Sequence, residues 1–215
     1  DTLLMVGHTR HATHGDVADD VNNHPHEYGD GIDQYGMVTH NGVIANHESI
    51  AHTHGVDLHG ECDSEIIARL IEGMDATRPL HERVAEAINA CDDYSRIALG
   101  VCESGTGGVQ FVLASRGNPV CYSINNGVLY YASTKHALPH SCDALQLNEG
   151  NMLTISDTGN VVIVRGEVTK HKERYGFGFN CNWQSYGKPV VQRATVKRPC
   201  DYDSFDEWIG SRSCK

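Results

Sequence analysis

The strongest constraint on the fold is a change of hydrophobic period near residue 97. Before it, two segments repeat apolar residues at helical spacing. One is Ser64–Met74, with Ile66, Ile67, Leu70 and Ile71; the other follows Pro79, with Leu80, Val84, Ala87, Ile88 and Cys91. After it come short β-rich runs at Ile97–Cys102, Val109–Ser115, Val120–Ile124, Val128–Ala132, Met152–Ile155 and Val161–Val164. Turn clusters such as Asn125-Asn126-Gly127 and Asp157-Thr158-Gly159 separate them. Helices followed by hairpin-linked strands predict an α+β layered domain with antiparallel sheet.

The flanks are read in the same way. Leu3–Gly7 is expected to be a short buried strand, residues 16–34 an ordered loop around Pro25, and Tyr35–His40 a strand. Asn41-Gly42 is a strong tight-turn signal with positive φ. Asn46 is expected to cap a short helix that stops at Gly55, and Asp63 or Ser64 to cap the next one. Periodicity fades after about Thr169. The expected organisation is one domain over residues 1–168 and a tail over 169–215 that docks elsewhere or stays extended.

Charge and composition narrow the function classes. Seventeen Lys and Arg against 28 Asp and Glu give a formal charge of −11, which argues against a nucleic-acid partner or an anionic membrane surface. No apolar run approaches the roughly 18 residues of a membrane span, and Asp1–Val6 lacks the basic start of a signal peptide. The eight cysteines form no CxxC pair and read as small buried hydrophobes in a reducing, cytoplasmic setting. Half of the fourteen histidines precede residue 50. His8, His11 and His14 recur every three residues, and His52 and His54 form another pair. A strand-to-loop segment does not put three imidazoles on one face, so no metal and no cofactor is expected.

Three segments concentrate polar residues: Gly7–Gly15 with Arg10, Thr13 and His14; His40–Glu48 with Asn41 and Gly42; and Glu61–Glu65 with Asp63. Together they hold an Arg fork for a carboxylate, a carboxylate for an ammonium, and an Asn side chain beside a glycine amide. The first two are what an α-amino acid needs. The third is what an acyl transfer needs, because two aimed donors stabilise a tetrahedral oxyanion.

These segments resemble, in order, the motifs of the class II glutamine amidotransferase domain of the N-terminal-nucleophile hydrolases, as in glucosamine-6-phosphate synthase and amidophosphoribosyltransferase. The matching stretches are His8–Gly15, Asn22–His26, His40–Asn46 and Asp63–Glu65, with Leu113–Pro119 and Tyr131–Ser133 downstream, over roughly residues 3–165. The resemblance implies an αββα four-layer sandwich, incomplete at its N-terminal side. It implies hydrolysis of the glutamine side-chain amide to glutamate and ammonia, with glutamine as substrate and the ammonia passed to an acceptor synthase. It also implies roles: Arg10 on the α-carboxylate, Thr13 and His14 lining the same pocket, Asp63 on the α-ammonium, and Asn41 with the Gly42 amide as oxyanion hole. His24-Pro25-His26 is expected to shape the wall of the site. His11 stands where the glucosamine-6-phosphate synthase branch usually has Trp, and Cys62 replaces the usual Thr or Ser before Asp63.

The family's nucleophile is the thiolate of an N-terminal cysteine whose own α-amine is the general base. Here the sequence starts at Asp1 and the first cysteine is Cys62. The sequence thus reads as the substrate-binding part of a glutaminase, an enzyme if the cysteine segment is supplied by a longer protein or by a second chain. The alternative is a catalytically inactive module with a structural or binding role in a larger assembly. Only about fifty residues follow the matched region, too few for a synthase domain, so a separate partner is expected to carry the acceptor chemistry.

Overall fold

The computed structural model describes residues 5–9, 15–16, 18–105, 108–139, 143–156 and 158–172, together with the backbone of 194–195. Among these residues, ten strands lie in two antiparallel sheets. The larger has the order β1 (His26–Tyr28), β2 (Gln34–Val43), β3 (Arg96–Gly105), β4 (Gly108–Arg116), β8 (Asn151–Ile155), β9 (Asn160–Arg165) and β10 (Ala194–Thr195). The smaller is β6 (Val128–Ala132), β5 (Cys121–Asn125) and β7 (Leu145–Gln146). Three helices, α1 (His47–His54), α2 (Glu65–Glu72) and α3 (Leu80–Ala90), pack on one face of the large sheet.

Strand alternation sorts the core into layers. Leu99 and Val101 of β3 face the helices with Ile66, Ile67, Leu70, Ile71, Val84 and Ile88. Ala98 and Cys102 face the other way, joining Phe111, Leu113 and Leu153 under Leu129 and Tyr131 of the small sheet. Helix, large sheet and small sheet are three layers of the expected sandwich; the outer helical layer is not among the described residues. Cys62, Cys91, Cys102 and Cys121 are free and buried, as small hydrophobes should be. No helix among the described residues is long and apolar enough to cross a membrane.

The strands read from residue 97 onward and the three helices form where expected, with ends moved by one to three residues. Three local readings are corrected. Of the strand expected over Leu3–Gly7, residues 3 and 4 lie outside the described residues, and residues 5–7 form no strand, with Met5 85% exposed. The loop expected over 16–34 contains β1, whose three residues are too few to show a period but pair with β2 at His26↔Val38 and Tyr28↔Gly36. Asn41-Gly42 is no hairpin turn: both lie inside β2, opposite Ala98 and Ile97 of β3. Part of the expected tail joins the body. The Thr169 hydroxyl accepts from Arg116 at 3.1 Å, the Lys172 backbone N–H donates to the Asp93 carbonyl at 2.7 Å, and Ala194-Thr195 pair with β9.

Two buried guanidinium groups pin the helices to the sheet. Arg116 at the end of β4 donates to the carbonyls of Ile88 and Asp92. Arg83 of α3 is fully buried and forms a fork with Glu103 of β3, at 3.0 and 2.5 Å. The Glu103 carboxylate also accepts from Tyr28 Oη at 2.8 Å and Gln34 Nε2 at 2.7 Å. Burial pushes the Glu103 carboxyl up, but the bonds from Arg83, Gln34 and Tyr28 outweigh it and hold the group below its ordinary range. A carboxylate with a lowered folded-state pKa contributes stability that is present above its unfolded value, about 4.3. That contribution is lost as pH falls through the lower folded value. Glu103→Gln strands a buried guanidinium, so urea unfolding at neutral pH should show a loss of about 3–5 kcal/mol. The variant should also lose part of the wild type's acid dependence of stability below about pH 4.

Candidate functional site

The site lies where the C-terminal end of β2, the start of β3 and the entry to α2 meet. A cavity of about 300 Å³ opens there, at the small end of the range for ligand pockets. Asn41, Gly42, Asp63 and Arg96 are among the residues that line it, together with His8, Thr9 and Asn118. Of the expected site residues, Asn41, Gly42 and Asp63 therefore share one cavity. Arg10, Thr13 and His14 lie outside the described residues; the chain enters that stretch from Thr9, at the cavity wall.

Gly42 is set by a close approach rather than by a turn. A Cβ at this position would lie 1.7 Å from the Arg96 carbonyl oxygen and 2.7 Å from His40 Nε2. Only glycine lets β2 come this near β3, and its φ of +155° lies outside the range side-chain-bearing residues prefer. Asn41 has an exposed side chain, and its carbonyl accepts from Asn118 Nδ2 at 2.9 Å. Asn118 thereby fixes the backbone on which both oxyanion donors would sit. It belongs to the turn after β4, whose Gly117 makes an isolated bridge to Ile97.

Asp63 and Ser64 do not cap α2 with their side chains. The Asp63 carboxylate, 1% exposed, accepts from the backbone N–H of Ile44 at 2.6 Å. Ser64 Oγ lies 2.7 Å from His40 Nδ1, while His40 Nε2 lies 3.1 Å from the Arg96 carbonyl. A carbonyl only accepts, so Nε2 carries the ring proton and Nδ1 accepts from the Ser64 hydroxyl. Burial pushes the His40 pKa down; the nearby Asp63 charge and the Arg96 carbonyl oppose this without reversing it. His40 is consequently a neutral spacer between β2 and α2. Glu65 completes the entry to α2, accepting from the backbone N–H groups of His59 and Gly60.

Sequence reasoning assigned no role to His40, Arg96 or Asn118, and to Ser64 only that of a possible helix cap. His40 and Ser64 stand beside expected site residues, but nothing in their spacing reveals that they bond each other. The wall residue His24 holds His40 in turn, its Nδ1 accepting from the His40 N–H at 3.3 Å. His24 also stacks against His8 with ring centroids 4.3 Å apart. His52 and His54 are exposed on α1, whereas His24, His26 and Cys62 bring their ligand atoms within 4.8 Å of one another.

No protein-family model matches the chain. Among curated proteins it is similar to glutamine–fructose-6-phosphate aminotransferase (isomerizing) of Idiomarina loihiensis. That match is 31% identical over 216 residues, covering 92% of this chain and 34% of the relative. The enzyme of the same name from Escherichia coli K12 is 32% identical over 157 residues, covering 70% of this chain and 24% of the relative. The chain thus spans a quarter to a third of the length of these relatives. Among solved structures, the glutamine phosphoribosylpyrophosphate amidotransferase of B. subtilis complexed with ADP and GMP superposes with a TM-score of 0.60. It is 18% identical and covers 74% of this chain and 34% of that one. A structure described as the allosteric regulatory enzyme of purine biosynthesis gives a TM-score of 0.55 at 19% identity, covering 70% and 32%. These two share the fold.

Two substitutions test the geometry. Gly42→Ala should lower the urea unfolding free energy by about 2–3 kcal/mol or more, since backbone rather than a side-chain tip must yield. Ser64→Ala should cost about 1–3 kcal/mol by leaving a buried imidazole nitrogen without its donor. If either variant unfolds like the wild type, the packing of β2 on β3 and α2 is not as described.

Proposed function

Since the chain belongs to the class II glutamine amidotransferase domains, with their N-terminal-nucleophile hydrolase fold, we propose that its cavity binds glutamine and activates the side-chain amide for hydrolysis to glutamate and ammonia. The observation that carries this reading is the meeting of Asn41, Gly42 and Asp63 at one small cavity, beside the Thr9 that leads into Arg10. Asp63 pairs with the α-ammonium and Arg10 with the α-carboxylate, so the amino acid is held at both ends of its backbone. Thr13 and His14 line the same region.

Held this way, the side-chain carbonyl lies against the Asn41 amide and the Gly42 N–H. The backbone that carries both donors is fixed beforehand, at Asn41 by Asn118 and at Gly42 by the β3 approach, so little reorganisation is needed to stabilise the developing oxyanion. The nucleophile in this reading is the thiolate of an N-terminal cysteine borne outside these 215 residues, on the same polypeptide or on a companion chain. Its sulfur forms the thioester as the C–N bond breaks, and the thiol proton leaves with ammonia by way of the cysteine's α-amine. Water then cleaves the thioester to give glutamate. The ammonia goes to a separate acceptor enzyme.

Asp63 has two duties that different substitutions separate. Asp63→Ala removes both the charge and the acceptor for Ile44 N–H, so it should destabilise the fold as well as the pocket. Asp63→Asn keeps an oxygen for Ile44 and removes only the charge. Calorimetric titration of the chain with L-glutamine should show binding that is lost in Asp63→Asn while the unfolding midpoint stays near that of the wild type. In the full-length protein, Asn41→Ala should lower kcat for glutamate release about 10²–10³-fold with little change in KM. Undiminished glutamine binding by Asp63→Asn would overturn the pocket assignment. Bound glutamine with no glutamate released, even by the full-length protein, would favour the inactive binding module.

A further inference from the structure

The cavity wall holds a second arrangement that glutamine chemistry does not use. We propose that His24, His26 and Cys62 form a binding site for a borderline-soft divalent cation, with Zn²⁺ the natural fit. Two imidazoles and a thiol are the donor set that zinc takes in preference to the hard, oxygen-seeking cations.

The geometry is close to what the ion requires. Cys62 Sγ and His24 Nε2 stand 3.9 Å apart, against about 3.6 Å for sulfur and nitrogen on one tetrahedral zinc. All three ligand atoms fall within 4.8 Å of one another, so closure needs side-chain movements of about an ångström or less. The two chain segments are also fixed to each other independently of any ion. Asn22 Oδ1 accepts from the Glu61 N–H at 2.7 Å, tying the histidine segment to the residue before Cys62. The Cys62 carbonyl accepts from Glu65 N at 3.1 Å, which anchors the cysteine to the first residue of α2. His26 and Cys62 are buried, and His24 and Cys62 line the cavity, so a fourth coordination position would face it. Three protein ligands with one open position is the arrangement of an accessible zinc site rather than a closed structural one.

Loading has a defined consequence for the chain. The His40 N–H donates to His24 Nδ1, which leaves the neutral ring's proton on Nε2, facing Cys62. Ligation through Nε2 moves that proton to Nδ1 and releases the thiol proton, so the 3.3 Å contact to the backbone before Asn41 is given up. The ion would therefore loosen one support of β2 as it binds.

Cobalt(II), a coloured substitute for zinc, reports both ligand type and geometry, and its titration does not depend on whether the chain uses glutamine. Added to the reduced chain, one equivalent of Co²⁺ should produce a thiolate charge-transfer band in the near ultraviolet and intense tetrahedral d–d bands in the visible, both removed by Zn²⁺. Cys62→Ser should abolish the charge-transfer band, and His26→Gln should weaken Co²⁺ binding at least about tenfold. The His52→Gln/His54→Gln pair should change neither. Circular dichroism confirms that each variant is folded, and the wild-type spectrum stands as evidence whichever variant fails to fold. Binding without a charge-transfer band, or a band that survives Cys62→Ser in the folded variant, would overturn the site.

Discussion

Everything at the site depends on two residues that decline the local bond their position offers. Asp63 and Ser64 stand where a helix normally takes side-chain caps. Their oxygens instead reach β2, Asp63 to the N–H of Ile44 and Ser64 to the imidazole of His40. The entry to α2 is stabilised by other means, chiefly the Glu65 carboxylate folded back on the N–H groups of His59 and Gly60. A local interaction worth about 1 kcal/mol is exchanged for two buried long-range ones. That exchange brings a carboxylate to the end of a strand that carries Asn41 and Gly42.

The exchange works only if strand and helix are already held in place. On the side away from the site, Arg83 and Glu103 join α3 to β3 through a buried fork that Tyr28 and Gln34 complete. On the near side, Arg116 reaches from β4 to the carbonyls at the end of α3. Each guanidinium is desolvated at considerable cost and is tolerable because partners surround it. Both residues sit at positions of β-rich or helical pattern where an apolar side chain would have been the simpler choice. They tie α3 to β3 and β4 through directional bonds that hydrophobic contact does not supply.

The fold was legible where apolar spacing is long and regular. Six strands after residue 97 and the faces of α2 and α3 follow from period alone, because burial on one side leaves a repeat in the sequence. It was illegible where pairing partners are remote. β1 is three residues long and exists only because β2 accepts it, and residues 5–7 look strand-like but pair with no strand among the described residues. Asn41-Gly42 shows the limit most directly. As a dipeptide it signals a turn, but here glycine answers to the Arg96 carbonyl, which is more than fifty residues away in the chain and invisible to any local rule. The motifs supplied candidates, of which Asn41, Gly42 and Asp63 share one cavity, whereas the groups that support them could not be named. His40–Ser64, Asp63–Ile44 and Asn118–Asn41 are bonds between segments whose spacing carries no signal.

The position of the cavity follows from the same logic. The β2–β3 ladder runs from Gln34↔Gly105 to Val43↔Arg96, and its last rungs present Asn41 and Gly42. Under the proposed function, a donor pair on a free loop would have to be ordered anew each time charge developed on a substrate oxygen. At the end of a ladder, with the neighbouring carbonyl so close that only glycine fits, the backbone has already paid that ordering cost during folding. The polar groups beneath can be buried because each answers another: His40 is held between Ser64 and Arg96, and Asp63 holds Ile44. Rigidity at the end of the ladder and the hydrogen bonds beneath it thus depend on each other, and the glycine is where they meet.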